Sequence, residues 1–137
     1  MAFSGYLIKL GGSGGDELPM RSIAAESYSA TPDQRLESKA ARAVTGLLYR
    51  STCDHMATKI EIQTVPITNR DLTGLMSLIA SHFIDPKQRK INLEYYDNET
   101  DAYKTGTFYM PDIQYKILRV DGNTIYYDNI RLAFIEY

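Results

Sequence analysis

The chain has 137 residues, 44% hydrophobic and 23% charged, with a formal net charge of −2. That length makes one domain able to bury roughly two-thirds of its unfolded surface, and the composition is that of a globular protein rather than a disordered one. A slightly acidic balance gives no bulk attraction to nucleic acid or to an anionic membrane, and the lone cysteine, Cys53, excludes an intrachain disulfide framework.

The opening Met1-Ala2-Phe3-Ser4-Gly5-Tyr6 has neither a basic start nor a long apolar run, so no signal peptide is expected. No apolar run approaches the ~20 residues that cross a bilayer as a helix, so membrane insertion is not expected either. A reducing compartment is the expected setting. Tyr6 to Leu10 reads as a short strand. Gly11-Gly12-Ser13-Gly14-Gly15 reads as a mobile loop, because it has almost no side chains to restrict the backbone. Met20 to Ala30 is predicted to hold another strand, ended by Pro32.

Residues 33–57 carry Leu36, Ala40, Ala41, Ala43 and Val44, which would tolerate a helix. Gly46 and the loose periodicity predict a long extended excursion instead. Loops of that length are functional or disordered as a rule, and the segment reads as an arm that becomes ordered on assembly. Between Asp33 and Lys59, five cations (Arg35, Lys39, Arg42, Arg50, Lys59) face Asp33, Glu37 and Asp54, a balance of +2.

Thr58 to Val65 alternates, with Ile60, Ile62 and Thr64 on one face and Lys59, Glu61 and Gln63 on the other, the pattern of a half-buried strand stopped by Pro66. Thr68 to Asp71 then places a side-chain acceptor at a helix N-cap and an acid in the first turn. Leu72, Leu75, Met76, Ile79 and Phe83 fall on one stripe of a helix ended by Asp85-Pro86; such a stripe is core packing rather than a cofactor site. After Lys90 four or five antiparallel strands are expected: Ile91–Tyr96, Tyr103–Met110, Ile113–Leu118, Thr124–Tyr127 and a closing Ile130-Leu132-Phe134 set. The clearest hairpin turns at Asp121-Gly122-Asn123. From Ile91 to Tyr137 eight acids outweigh Lys104, Lys116, Arg119 and Arg131, a balance of −4. The fold class predicted is α+β, mainly β: one domain over 1–137 of antiparallel β-sandwich or barrel-like sheets with one flanking amphipathic helix at about 68–84.

No segment carries a reactive constellation. Gly11-Gly12-Ser13-Gly14-Gly15 has the letters of a nucleophile elbow but lacks the helix that must follow the serine. Asp97, Glu99 and Asp101 imitate the start of a calcium loop, yet Ala102 and Phe108 stand where that loop needs glycine and a bidentate glutamate. Cys53-Asp54-His55 lacks the second ligand pair of a zinc site. No catalytic residue, metal or cofactor is therefore expected, and the chain is not read as an enzyme. Eight of eleven tyrosines lie beyond Lys90. Adjacent strand positions such as Tyr95-Tyr96 and Tyr126-Tyr127 point to opposite faces, so some rings must face outward, where they suit protein contacts or a sugar platform.

The order of early strand, long arm, strand, single helix and terminal run of strands resembles the module shared by tail-tube and distal-tail (baseplate hub) proteins of long-tailed phages. Gly46-Leu47-Leu48-Tyr49-Arg50, Lys59-Ile60-Glu61-Ile62, Tyr103 to Asp112 and Ile130 to Tyr137 are similar to a small, uncharacterised family of phage and prophage tail proteins of Gram-positive bacteria. The resemblance implies a structural protein of the virion tail, assembled in the cytoplasm of a bacterial host. Copies would close, as in such families, into a six-fold ring around a channel that DNA crosses in transit, and would meet other tail or baseplate proteins. By position, 33–57 would be the contact arm, with Arg35, Arg42, Leu48, Tyr49 and Arg50 as inter-subunit residues. An acidic channel wall repels phosphate, so Glu94, Asp97, Glu99 and Asp112 are the candidate lining. The alternative is a small β-sandwich that binds host-surface carbohydrate through outward tyrosines.

Overall fold

Alternating apolar residues dictate most of the architecture. The structure, a computed structural model, describes residues 3–137, with the side chains at 36–40, 49 and 52–55 outside the description. Its strands are β1 (Ile8–Leu10), β2 (Asp16–Glu17), β3 (Ile23–Arg42), β4 (Leu48–Thr64), β5 (Ile67–Thr68), β6 (Phe83–Asp85), β7 (Lys90–Asp97), β8 (Ala102–Tyr109), β9 (Ile117–Asp121), β10 (Thr124–Tyr127) and β11 (Arg131–Glu136). One helix, α1 (Asn69–Ser81), stands between β5 and β6, and a 3-10 turn over Met20–Ser22 precedes β3. The main sheet runs β2-β1-β7-β8-β11-β4-β3, with β6 beside β7, and a small second sheet runs β5-β10-β9. All the ladders are antiparallel, and the main sheet is not closed into a barrel.

The inner half of β4 puts Ile60, Ile62 and Thr64 into the interior, as its alternation requires. In β11, Phe134 and Leu132 stand opposite Ile60 and Ile62, so the two buried rows interlock. Ile91, Leu93 and Tyr95 of β7, Phe108 of β8 and Ile8 and Leu10 of β1 extend the same core. Thr68 caps α1 by accepting the N–H of Asp71 at 3.3 Å. Leu75 and Ile79 are buried in the core, with Leu72 and Met76 packed against it. The helix ends at Ser81, short of the expected boundary, because Phe83 pairs with Ile91 as the first residue of β6.

Two further boundaries differ from the sequence expectation. Pro32 does not end β3. It is buried, Asp33 adopts φ +47°, and the register with β4 shifts between Thr31 and Gln34. At such a bulge a missing N–H breaks no ladder bond, so the strand passes through. Ile113–Lys116 is irregular, and β9 begins only at Ile117, where pairing with Tyr127 becomes available.

Truncating the helix stripe tests its place in the core. Leu75→Ala or Ile79→Ala should cost ~2–5 kcal/mol in chemical denaturation, the range for a large buried aliphatic side chain. A loss below about 0.5 kcal/mol at both sites, the level of an ordinary surface substitution, would remove the stripe from the core.

Candidate assembly interface

β3 and β4 are much longer than their neighbours. β11 supports β4 only as far as Lys59, while β3 and β4 continue to pair from Gln34 opposite Ala57 to Arg42 opposite Leu48. Residues 34–57 therefore form a two-stranded ribbon extending roughly 25–30 Å at about 3.3 Å per residue. The chain reverses where Gly46 donates to the Ala43 carbonyl and Ala43 to the Leu47 carbonyl, both at 2.8 Å. Gly46 sits at φ +87°, a conformation that favours glycine. Arg42 donates from Nη1 to the Gly46 carbonyl at 2.9 Å. Val44 is fully exposed at the tip, and Leu47, Leu48 and Met56 are exposed behind it.

The register brings most of the sequence-predicted contact residues together. Arg42 faces Leu48, and Ala41 and Ala40 face Tyr49 and Arg50, all near the tip; Arg35 faces Met56, nearer the root. The side chain of Tyr49 lies outside the described residues, as do those of Leu36, Ala40, Cys53, Asp54 and His55.

A buried polar network holds the root. The Asp33 N–H donates to Thr58 Oγ1 at 3.0 Å, and that hydroxyl also meets the Tyr95 hydroxyl at 3.1 Å. The Thr58 N–H donates to Glu136 Oε1 at 2.8 Å. Lys104 Nζ lies 2.7 Å from Asp97 Oδ2 and 3.2 Å from Asp33 Oδ2, bridging the body to the bulge itself. Those bonds, to Asp97 first and Asp33 next, raise the Lys104 pKa. Burial by itself would raise the Asp97 pKa, but bonds from Lys104, the Glu99 N–H and Thr100 outweigh it and hold the carboxyl below its usual value. Glu136 reaches Thr58 past Gly106, where a Cβ would come within 2.6 Å of Glu136 Oε2.

The four candidate lining acids are not gathered on one surface. Glu94 is buried and accepts the Tyr6 hydroxyl, a bond that, with burial, pushes the Tyr6 pKa up to about 12. Asp97 is enclosed in the root network. Glu99 and Asp112 are exposed, at opposite ends of the β7–β8 hairpin. The tyrosines largely engage one another. Tyr6 stacks on Tyr103 at 4.4 Å, while Tyr96 meets Tyr103 and Tyr109 meets Tyr137 edge-on. Tyr28 and Tyr103 donate to the Tyr96 and Tyr6 carbonyls, both at 2.7 Å.

The motifs with chemical overtones serve as turns. Ser13 lies in the β1–β2 turn and is followed by a strand, so it has no elbow geometry. His82 bonds Asp16 at 2.9 Å beside Gly11. Asp97 and Asp101 fix the β7–β8 turn, where Asp101 accepts the Tyr96 hydroxyl at 2.8 Å. An open groove of about 600 Å³ beside α1 presents Arg21, Arg70 and Asp71. Among the described residues no helix is long and apolar enough to cross a membrane.

Sequence reading missed the Lys104 bridge and the exposed aliphatic row of β9, Ile117, Leu118 and Val120. A lysine among tyrosines carries no local sign of a partner far along the chain, whereas three large aliphatic residues in a strand of five were a readable signal.

The profile of a family of unknown function (DUF6711) matches residues 1–137. No curated protein matches the sequence. A solved structure described as the tail of an empty GTA particle, computed with helical refinement and C6 symmetry, shares the fold. It has a TM-score of 0.54 and 14% identity, over 99% of this chain and 95% of that one.

Acid and substitution test the ion pairs. Hydrogen bonds from Arg131, then Lys59, hold the Glu61 carboxyl down to about 2, against 4.5 unperturbed. In that interval the unfolded chain binds the extra proton, so the stabilisation is complete above about pH 4.5 and disappears as pH falls towards 2. Glu61→Gln should flatten stability against pH across that window, and an unchanged slope would show that Glu61 does not contribute. Lys104→Met leaves Asp97 enclosed without its cation. Breaking a fully buried pair costs about 3–5 kcal/mol, but water screens a lysine that is 37% exposed, so about 1–3 kcal/mol is expected in urea unfolding.

Proposed function

The chain belongs to the DUF6711 family, and we propose that it is a non-enzymatic structural protein of a phage or prophage tail that assembles with copies of itself into a ring. The observation that carries this reading is the match, over 99% of the chain, to the fold of a subunit from a C6-symmetric tail. The arm supports it independently. A lone two-stranded ribbon is marginal in water, and one whose tip exposes Val44 and Leu47 gains stability from a surface to lie on.

In this reading six copies close a ring around a channel for DNA. The arm, through Arg35, Arg42, Leu48, Tyr49 and Arg50, reaches a neighbouring copy, and other tail or baseplate proteins meet the ring's faces. The +2 balance of 33–59 and the −4 balance of 91–137 favour head-to-tail contact between copies. The wall is assigned to the acidic 91–137 region. Of the four acids Glu99 and Asp112 are exposed and would face the channel, while Glu94 is buried against Tyr6 and Asp97 is paired with Lys104. The protein acts in the virion tail, after assembly in the host cytoplasm.

Native mass measurement and electron microscopy of the purified protein should find six-fold rings. A monomer at every concentration would overturn the reading. Deleting Leu36–Thr52 should leave a folded monomer, whereas an unfolded product would assign the ribbon to the body. In a structure of the ring, a lumen lined mainly by Arg35, Arg42 and Arg50 would overturn the acidic wall.

A further inference from the structure

Among the described residues β9 is the outer strand of the small sheet and is hydrogen-bonded on one side only, to β10. All five of its residues are exposed, including Ile117, Leu118 and Val120, each more than half accessible. An exposed aliphatic strand with an open hydrogen-bonding edge templates pairing with another chain, and proteins that avoid such pairing blunt the edge. The body portion of β3, the outer strand of the main sheet, is blunted in this way. It carries Ala24, Ala25, Ser27 and Ser29 rather than large aliphatics, and its register with β4 shifts between Ala24 and Ser29. β2 and β5, two residues each, are too short to serve. On β9, Arg119 lies over the Tyr126 ring at 4.1 Å, and the aliphatic row is left uncovered.

Among the described residues the arm offers a counterpart to this edge. Beyond Lys59 the ribbon loses its third strand, so among the described residues its ladder is open there too. Val44, Leu47, Leu48 and Met56 are exposed on it, an aliphatic set to match that of β9. We propose that β9 is the receiving site for the arm of a second copy: the ribbon pairs edge to edge with β9, and its exposed aliphatic residues cover Ile117, Leu118 and Val120. Backbone pairing supplies the affinity and the side-chain rows fix the register, as in other cases of strand addition. The arm and its receiver are different surfaces of one chain, so the contact is heterologous and propagates from copy to copy until a ring closes. This rests on the self-assembly reading and adds the identity of the receiving surface.

The test uses full chains in complementary pairs. Leu118→Lys with Val120→Lys places two charges on a strand that is already exposed, so the fold should persist while assembly is lost. The chain lacking Leu36–Thr52 keeps β9 but has no arm. Each alone should be a monomer, and their mixture should give a 1:1 dimer that grows no further, read by native mass spectrometry. In the assembled parent protein, β9 amides should exchange at least about tenfold more slowly than in the monomer, a readout that needs no variant to fold. If the lysine variant assembles like the parent, or the mixture stays monomeric although the parent assembles, β9 is not the receiver and the assembly reading stands. If the parent never assembles, both readings fail.

Discussion

One strand, β4, belongs to the centre of the body and to one side of the arm, and this double membership constrains everything else. Its inner half lies between β11 and β3 with Ile60, Ile62 and Thr64 buried. Side chains alternate with period two, so a slip of one residue would carry all three to solvent, and burial alone fixes the register. The outer half stays paired with β3 but shifts register between Thr31 and Gln34, Arg35 and Glu37, and Glu37 and Lys39. The core thus sets where the arm leaves the body, at the bulge around Asp33, and the later shifts adjust its course. Lys104 reinforces the aim by joining Asp33 to the buried Asp97. The bridge adds little net stability over an apolar substitute, because desolvating the charges offsets much of their attraction. It does specify one geometry at the place where the two strands leave the body.

Much of this was legible in the residues, for identifiable reasons. The alternation from Thr58 to Thr64, the Thr68 cap, the Leu75 and Ile79 stripe and the Asp121-Gly122-Asn123 turn are local signals, and each element stands where its signal lies. Misreadings came where non-local contacts decided. Pro32 looks like a terminator until a bulge removes the need for its N–H, and Phe83 continues a helical stripe until β7 offers it a ladder. The candidate interface divides in the same way. The near-tip position of Arg42, Leu48 and Arg50 follows from chain reversal at Gly46, but the enclosure of Glu94 depends on Tyr6, distant in sequence, and that of Asp97 on Lys104 across the β7–β8 turn. A carboxylate in a strand does not reveal from sequence whether it meets water or a buried partner.

The tyrosines show how a mostly β chain of this size stabilises its surface. Ring-on-ring contacts bury area at low entropic cost, since each side chain has only two rotatable torsions, while the hydroxyls satisfy carbonyls such as those of Tyr6 and Tyr96. Many of these rings are half-buried.

Beyond its last register shift the arm pairs regularly from Lys39 opposite Ser51 to Arg42 opposite Leu48, so within that stretch its reach is quantised. Adding or removing one residue on each strand would turn the tip's apolar row to the opposite side, whereas a change of two per strand preserves the face and alters the length by roughly 7 Å. Family members with longer or shorter arms should differ in such even steps. The spacing between bodies that such an arm can bridge would then vary in discrete increments along the particle axis.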